Sequence, residues 1–284
     1  MFKKRLIEIS NKIGGSKEKY FVLTHKKHKR EIYFRNTSKA INFMSPKFNS
    51  IQKRFIYILI KLGFLQPFLK EVNLSHKLGK VIYVANQIKG FDLNKKTVFS
   101  FPTYRNMKKD FVKSKKFQKK VSSKGFAPKI IEFDEKIPYA KEELLKEHHA
   151  DYISIFKRLR EFYSFIGIEK IPVKKYVSDL KKKVKDSNLI KKLNFLSKQN
   201  FEVLITTLHG DLARENILVK NGEIVFVDWN PYKSPITDDL VNLLKKGLSK
   251  EIFKSILEFY PEEIKNKLNY YLMLSKISLR INKN

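Results

Sequence analysis

The stretch TLHGDLARENILVKNGEIVFVDWNPYKSPITDDL, residues 207–240, decides the fold of this 284-residue chain. Two apolar runs, Ile217–Lys220 and Glu223–Val227, are joined by Asn221-Gly222. This dipeptide, flanked by apolar runs, is the strongest short-range signal for a two-residue hairpin turn, because both of its residues adopt a positive φ readily. The sequence therefore predicts a β-hairpin at the centre of the stretch.

The register of that hairpin brings polar side chains together at its mouth. Pairing the two strands directly across the turn sets Asn216 opposite Val227, so Asn216 and Asp228 lie within about one residue of each other. Asp211 lies in the loop just before the first strand. The register leaves open which face of the hairpin Asp228 occupies. Two carboxylates and an amide thus converge at one end of a sheet, and their oxygens are the ligands that Mg²⁺ prefers.

These residues match the requirements of phosphoryl transfer. That reaction needs metal ligands to neutralise the β- and γ-phosphates and a separate carboxylate to orient and deprotonate the attacking hydroxyl. The spacing His209-x-Asp211-x₄-Asn216 is that of a kinase catalytic loop. Asp228 then takes the second metal position.

The string HGDLARENIL followed by IVFVDW resembles the aminoglycoside phosphotransferase and choline kinase superfamily of protein-kinase-like folds. In that pattern an Asp after the hairpin is usually followed by Trp or Phe and an acidic residue. Trp229 matches the pattern, whereas Asn230 stands where the acidic residue is common. The resemblance implies an α+β, two-lobed fold, with a small antiparallel-sheet N-lobe and a larger helical C-lobe. It also implies a phosphotransferase that uses ATP and Mg²⁺ and has an alcohol group as acceptor.

The same resemblance implies a role for each matching residue. Asp211 is similar to the catalytic base, and Asn216 and Asp228 are similar to the Mg²⁺ ligands. His209 resembles the histidine that braces the catalytic loop. Asp239 resembles the aspartate that anchors this loop from the next helix.

Two of the assignments around the loop remain open. Adjacent Asp238 can replace Asp239 as the anchor, or both can cap the helix that begins near Thr237. Arg214, inside the loop, either contacts the γ-phosphate or the acceptor as a catalytic residue, or pairs with a neighbouring carboxylate.

The pattern around the stretch predicts a sheet first and helices after it. Short β-prone runs alternate with loops at 81–85, 97–101, 109–113 and 129–133, with one helix over 115–126. Helical periodicity covers 142–166, 173–184, 189–199 and 237–284, and the segment 202–229 is β-like. We therefore expect a nucleotide-binding N-lobe over 80–140 and a helical C-lobe with catalytic loop and acceptor site over 141–284.

Residues 1–79 form a basic N-terminal region of unclear role. Tyr20–Thr24 and Glu31–Arg35 are β-prone and predict a hairpin. The apolar run Phe55–Leu69 is too short to span a bilayer. It is either a buried helix or a helix lying in a membrane interface.

The nucleotide-binding residues are less clearly marked. A kinase-like lobe needs a strand lysine that holds the α- and β-phosphates and pairs with a helix glutamate. Lys113, at the end of a β-prone run, is the best-placed lysine, but the helix after it offers Gln118 and no Glu. Gly90 is the one glycine available for a phosphate-binding loop in NQIKGFD. The adenine-binding hinge is expected within Ile137–Leu145.

The composition excludes several classes of protein. With no cysteine, the chain has neither a disulfide scaffold nor a cysteine nucleophile, and 42% hydrophobic residues argue against intrinsic disorder. The formal net charge of +32 is compatible with an anionic partner, or reflects codon bias. Nucleic acid is a weaker candidate, because only nine of the 60 cationic residues are the arginines that such proteins favour. We expect an intracellular, cytoplasmic protein, with peripheral contact to an anionic membrane left open.

Three functions from different classes fit the sequence. The first is a small-molecule kinase, whose acceptor we expect to be a neutral or anionic sugar or glycan because residues 174–192 are basic. The second is a protein kinase, disfavoured by Gly210 and by Ala213, which stands where protein kinases carry lysine. The third is a non-catalytic kinase-like module that binds nucleic acid or anionic lipid.

Overall fold

The computed structural model of the chain describes residues 2–25, 30–44, 57–85, 87–145, 150–244 and 250–282. It divides into two compact units: residues 1–122 with 128–145, and residues 123–127 with 146–284. The first unit is built on a large antiparallel sheet, and the second is mainly helical. The α+β class predicted from the sequence is therefore confirmed.

The first unit contains one eight-stranded sheet in which every neighbouring pair is antiparallel. Its strands are β1 (Lys17–His25), β2 (Arg30–Phe34), β3 (Lys70–Ser75), β4 (Val81–Val84), β5 (Gln87–Asp92), β6 (Thr97–Pro102), β7 (Ile130–Asp134) and β8 (Tyr139–Glu143). They lie in the order β3-β1-β2-β4-β5-β6-β8-β7. The strands predicted at 81–85, 97–101 and 129–133 are confirmed.

The strand expected over 109–113 is wrong, because these residues belong to a helix, Lys108–Ser122. Its buried side chains, Phe111, Lys115, Gln118 and Val121, recur every three or four residues. That spacing is the helical one, and a strand would have buried every second residue. Phe111 and Val112 are β-prone, and for this reason the local pattern predicted a strand instead of a helix.

The helix expected to begin at Glu142 is also wrong at its start. Glu142 belongs to β8, where it is buried, and the helix begins only at Tyr152. Strand β8 also occupies most of Ile137–Leu145, the range in which the hinge was expected. Residues 146–149 lie outside the described residues.

Residues 1–79 add strands β1, β2 and β3 to the same sheet as the predicted nucleotide lobe. The predicted hairpin is confirmed, since β1 and β2 pair antiparallel with Phe21 opposite Phe34. Two helices precede and follow it, α1 (Phe2–Ile13) and α2 (Ser38–Met44). The basic N-terminal region is thus part of the sheet unit.

Alternation along β1 and β2 builds a separate apolar core on each face of the sheet. Tyr20 and Tyr33 lie in one core together with residues of α1. Phe21 and Phe34 lie in the other together with residues of α2. Because neighbouring strand residues point to opposite faces, consecutive aromatic residues cover both sides.

The apolar stretch over 55–69 is described from residue 57 onward, and it is only partly buried. Ile60 packs in the core of the α2 face, whereas four large apolar side chains are between 49% and 82% exposed: Ile58, Leu62, Phe64 and Phe68. In the described part of the chain, no helix combines the length and the apolar character needed to cross a bilayer.

Gly90 lies in the middle of β5, where a loop was expected. It pairs with Ile82 on one side and Phe99 on the other. A Cβ atom added at this position would stand 2.1 Å from the carbonyl oxygen of Leu78. Packing against backbone from the first 79 residues therefore requires a glycine at this position.

The second unit contains helices and two small sheets. Its helices are α4 (Tyr152–Ile166), α5 (Val173–Lys181), α6 (Ser187–Ser197), α7 (Thr237–Leu244), α8 (Lys250–Leu257), α9 (Glu262–Asn266) and α10 (Leu268–Asn282), numbered after α3 (Lys108–Ser122) of the first unit. Its strands are β9 (Glu169–Pro172), β10 (Glu202–Leu208), β11 (Ile217–Lys220), β12 (Glu223–Phe226) and β13 (Tyr232–Pro235). Strand β10 pairs with β9 and β13, and β11 pairs with β12.

Replacing Gly90 by Ala should destabilise the sheet unit. The added methyl group meets the backbone carbonyl of Leu78, which cannot rotate away as a side chain can, so the cost should be about 1–3 kcal/mol. Thermal unfolding of wild type and Gly90→Ala measures this as a lower Tm. Lys95→Ala, at an exposed position of the same β5–β6 hairpin, is the control and should leave Tm unchanged. Equal Tm values for Gly90→Ala and wild type would contradict the packing argument.

Candidate active site

The predicted hairpin is confirmed in its register. Strands β11 and β12 pair with Lys220 opposite Glu223 and Ile217 opposite Phe226. The turn residues Asn221 and Gly222 have φ values of 51° and 84°. Positive φ at both positions defines the type I′ turn, whose twist matches that of the flanking strands.

The mouth of the hairpin brings the two expected metal ligands next to each other along the backbone. The Val227 N–H donates to the carbonyl oxygen of Asn216 over 2.9 Å, so residues 216 and 228 are neighbours across the mouth of the hairpin. Asn216 is 6% exposed, and its Nδ2 donates to the carbonyl oxygen of Asp211 over 2.9 Å. This bond directs the amide nitrogen into the loop and leaves Oδ1 available as a ligand.

His209 connects the loop to Val227, the residue that directly follows β12. Its Nε2 donates to the carbonyl oxygen of Val227 over 2.7 Å, and its Nδ1 accepts the N–H of Asp211 over 3.3 Å. A carbonyl only accepts, so the imidazole carries its proton on Nε2. Burial lowers the pKa of His209 to about 4, and the ring is neutral at pH 7. The neutral histidine therefore braces the loop through one donated and one accepted hydrogen bond.

Gly210 lets this loop pack against the chain beyond the hairpin. It has a φ of +87°, and a Cβ atom there would stand 1.7 Å from the carbonyl oxygen of Asn230. The Asn230 N–H in turn donates to the carbonyl oxygen of His209 over 2.9 Å. The loop and the segment after β12 are thus in direct contact at Gly210.

The two carboxylates differ in their surroundings. Asp211 is exposed, and Asp228 is half-buried. Asp228 has a φ of +62°, in the left-handed region that non-glycine residues rarely adopt. Strained backbone of this kind concentrates at functional sites.

The structure distinguishes the two aspartates that the sequence left open as anchors. Asp239 accepts the hydroxyl of Tyr163 over 2.9 Å, and the backbone N–H of His209 also stabilises its charged form. Asp238 instead accepts the Ser234 hydroxyl over 2.5 Å. Burial raises the pKa of each carboxyl to about 7. Of the two, Asp239 is the one that contacts the loop.

Arg214 lies exposed at the 3₁₀ turn of the loop, with its guanidinium carbon 5.9 Å from the centre of the Tyr152 ring. Its assignment as a catalytic residue stays a prediction.

The donor set suits a metal held jointly with a bound phosphate. Among the described residues no three His, Cys, Asp or Glu side chains gather that could hold a metal alone. Asn216 and Asp228 supply one amide oxygen and one carboxylate. Mg²⁺ is commonly bound by one or two carboxylates together with substrate phosphates and water, and the pair fits that requirement.

In the sheet unit, Lys113 lies exposed on α3, which removes the basis on which it was chosen as a strand lysine. Two positions further along the helix, Lys115 is 3% exposed and its Nζ lies 3.0 Å from Oε1 of Glu142 on β8. Gln118 also contacts this pair. The contribution of Lys113 and Gly90 to cofactor binding stays a prediction.

No family model matches the sequence, and no curated protein matches it either. Among solved structures, the APH(2″)-IIa chain of a streptomycin–ATP ternary complex matches with a TM-score of 0.50 and 13% identity, covering 70% of this chain and 81% of that one. The chain has a protein-kinase-like fold. The resemblance stated from the HGD string is thereby confirmed at the level of the fold.

Two choline kinase structures also match the chain, each with a TM-score below 0.5. The choline kinase LicA from Streptococcus pneumoniae matches with 17% identity and a TM-score of 0.48, covering 70% of this chain and 81% of that one. A choline/ethanolamine kinase family protein from Mesorhizobium loti matches with 11% identity and a TM-score of 0.46, covering 71% and 74%.

The sequence pattern does not identify two residues that form buried contacts with distant parts of the chain. The pattern places Tyr163 only within the helix predicted over 142–166. In the structure its hydroxyl contacts Asp239, which lies 76 positions further along the chain. Lys115 was one lysine among many in a basic helix. Its helical position on the buried face, next to Phe111 and Gln118, was the signal that could have found it.

The pKa of Asp238 predicts a pH effect on stability. An acid whose pKa is about 3.8 unfolded and about 7 folded holds its proton more tightly when folded, so its contribution to stability falls as pH rises through 7. Asp238→Asn keeps an acceptor for Ser234 and removes the charge. Relative to wild type, this variant should gain about 3–4 kcal/mol between pH 4 and pH 8.

Chemical denaturation of both proteins at pH 4, 6 and 8 measures this difference. Asp179→Asn, at an exposed carboxyl, is the control and should not gain at high pH. A constant difference between Asp238→Asn and wild type across this range would show that Asp238 is ionised in the folded protein.

Proposed function

We propose that the chain is an ATP- and Mg²⁺-dependent phosphotransferase that phosphorylates a hydroxyl of a small molecule, with Asp211 as catalytic base. One observation carries the proposal: the exposed Asp211 and the pair Asn216 and Asp228 belong to a single braced loop and hairpin. An attacking group, a base and a charge-neutralising site are the parts that phosphoryl transfer requires.

The chemistry of the step divides among these residues. Asp211 accepts the proton of the acceptor hydroxyl, whose oxygen then forms a bond to the γ-phosphorus as the bond to the bridging oxygen of ADP breaks. Asn216 and Asp228 would hold Mg²⁺, which neutralises charge on the phosphates when bound. Neutral His209 keeps the Asp211 backbone in place through its Nδ1.

The acceptor we propose is a neutral or anionic sugar or glycan. Helices α5 and α6 and their connection expose lysines at 174, 175, 182, 183, 185, 191 and 192. The two acidic residues there are already engaged, Asp179 with Lys182 and Asp186 with Arg280. A surface with this charge repels a cationic acceptor and is compatible with hydroxyl-rich or anionic ones.

A non-catalytic module that binds an anionic partner is the second candidate. It is favoured by β6, whose sequence TVFSFP has no lysine, and by β5, which contains Gly90 in place of a glycine-rich loop. Binding that weakens steeply with salt and occurs without consumption of ATP would support this candidate.

Replacing Asp211 by Asn should abolish turnover while leaving nucleotide binding nearly intact. The amide keeps the shape of the side chain but cannot accept the hydroxyl proton, so the rate should fall by about 10²- to 10⁴-fold. The rate is measured as ATP hydrolysis, with water as acceptor, and as transfer from γ-labelled ATP to a panel of sugars and glycans. Wild-type turnover in Asp211→Asn would exclude this residue as the base.

Replacing Asp228 by Asn should weaken the binding of Mg²⁺-ATP itself. Removing the carboxylate leaves only neutral oxygens for the metal. In wild type, ligand at about 100 times its Kd should add about 2.7 kcal/mol of stability, seen as a Tm increase that requires Mg²⁺. That increase should disappear in Asp228→Asn and persist in the matched exposed variant Asp179→Asn. A wild-type protein that is folded and shows no increase would favour the non-catalytic module.

A further inference from the structure

The buried ion pair of the sheet unit has its lysine on a helix and its glutamate on a strand, whereas protein kinases have the lysine on a strand and the glutamate on a helix. In protein kinases a lysine on the third strand of the lobe holds the phosphates and pairs with a glutamate on the helix that follows. Here the third strand is β6, after β4 and β5, and it carries Ser100 in place of a lysine. The following helix α3 supplies Lys115, and strand β8 supplies Glu142.

This cluster is buried and almost completely satisfied. Lys115 Nζ donates to Glu142 Oε1 over 3.0 Å and to Gln118 Oε1 over 2.9 Å. Gln118 Nε2 donates to Glu142 Oε2 and to the carbonyl oxygen of Pro128. The cluster therefore fixes the position of the ammonium group from two elements.

One donor of the cluster remains available. An ammonium group has three N–H bonds. Within the described residues, Lys115 Nζ has only two hydrogen-bond acceptors, and its other neighbour is the Phe111 ring, 5.8 Å away at its centre. The third N–H of this ammonium group therefore has no acceptor among the described residues.

The small side chain of Ser100 on β6 lies beside the Glu142 carboxylate that Lys115 contacts. It is fully buried, and its Oγ lies 3.5 Å from Oε1 of Glu142, the same oxygen that Lys115 contacts. A lysine on β6 would compete with Lys115 for this carboxylate. A buried ion pair of this kind is expected to add little stability over apolar side chains of the same size.

We propose that Lys115, on the helix, binds the α- and β-phosphates of the nucleotide in place of a strand lysine, with Glu142 and Gln118 as its positioning residues. The inference rests on the proposed ATP-dependent function. It locates the nucleotide cation at a residue different from the exposed Lys113.

Binding of adenosine, ADP and Mg²⁺-ATP to wild type and variants tests this assignment. Lys115→Met should weaken ADP and Mg²⁺-ATP binding by about 10- to 100-fold, the range for losing one hydrogen bond to a charged group. Adenosine has no phosphate, so its Kd should change by less than about twofold. Lys119→Met, at an exposed position one turn further along α3, is the matched control and should leave all three Kd values unchanged.

Two further variants separate binding from folding. Lys115→Gln keeps a hydrogen-bond donor to Glu142 but removes the positive charge. If Lys115→Met does not fold, Lys115→Gln tests whether Lys115 binds phosphate. It should show the same selective loss of phosphate binding. The double variant Lys115→Met with Ser100→Lys returns a lysine to the same carboxylate from the strand and should recover part of the affinity for Mg²⁺-ATP.

Three outcomes would overturn the assignment. Wild type that binds Mg²⁺-ATP, with Lys115→Met and Lys115→Gln binding it equally well, would remove Lys115 from the site while leaving the proposed function in place. Equal losses for adenosine and ADP would show a structural role only. Wild type that binds neither ADP nor Mg²⁺-ATP would overturn the proposed function together with the assignment.

Discussion

The imidazole of His209 is the contact on which the candidate site depends. One nitrogen donates to the carbonyl of Val227 and the other accepts the amide N–H of Asp211, so a single ring sets the position of Asp211 relative to the end of the hairpin. A neutral ring is required, because only then does one nitrogen donate while the other accepts. Burial provides that neutrality by lowering the pKa of His209 to about 4.

The surroundings of this histidine explain several neighbouring residues. Trp229 packs its ring 4.6 Å from the imidazole, centre to centre, and donates its indole N–H to the carbonyl of Phe226. Gly210 admits the carbonyl of Asn230 at a distance that excludes any side chain. These contacts hold the backbone of the loop, and the carboxylate of Asp211 is exposed.

In the sheet unit, the first 79 residues change the kinase-like lobe by extending its sheet. Strand β2 pairs with β4 from Glu31 to Phe34, which covers an edge that would otherwise expose unpaired backbone groups. The carbonyl of Leu78 also occupies the space beside Gly90. The packing of this extension thus requires a glycine at position 90.

The sequence by itself determined the hairpin, its register and the loop that precedes it, because these depend on contacts between residues close in the chain. Asn221-Gly222 specifies the turn, and the turn specifies which residues face each other, so Asn216 could be placed beside Asp228 without a structure. The kinase-like fold followed from the same short string. Only the tertiary structure decided that Asp239 contacts the loop and that Lys115 meets Glu142.

Those pairs lie 76 and 27 positions apart, and no local pattern records such distances. The β-prone residues Phe111 and Val112 show the same limit in secondary structure. They favour a strand in isolation, but helix α3 forms because Phe111, Lys115 and Gln118 all become buried on one side of it. Local propensity is a weak preference, and the burial of a whole helical face against the sheet outweighs it.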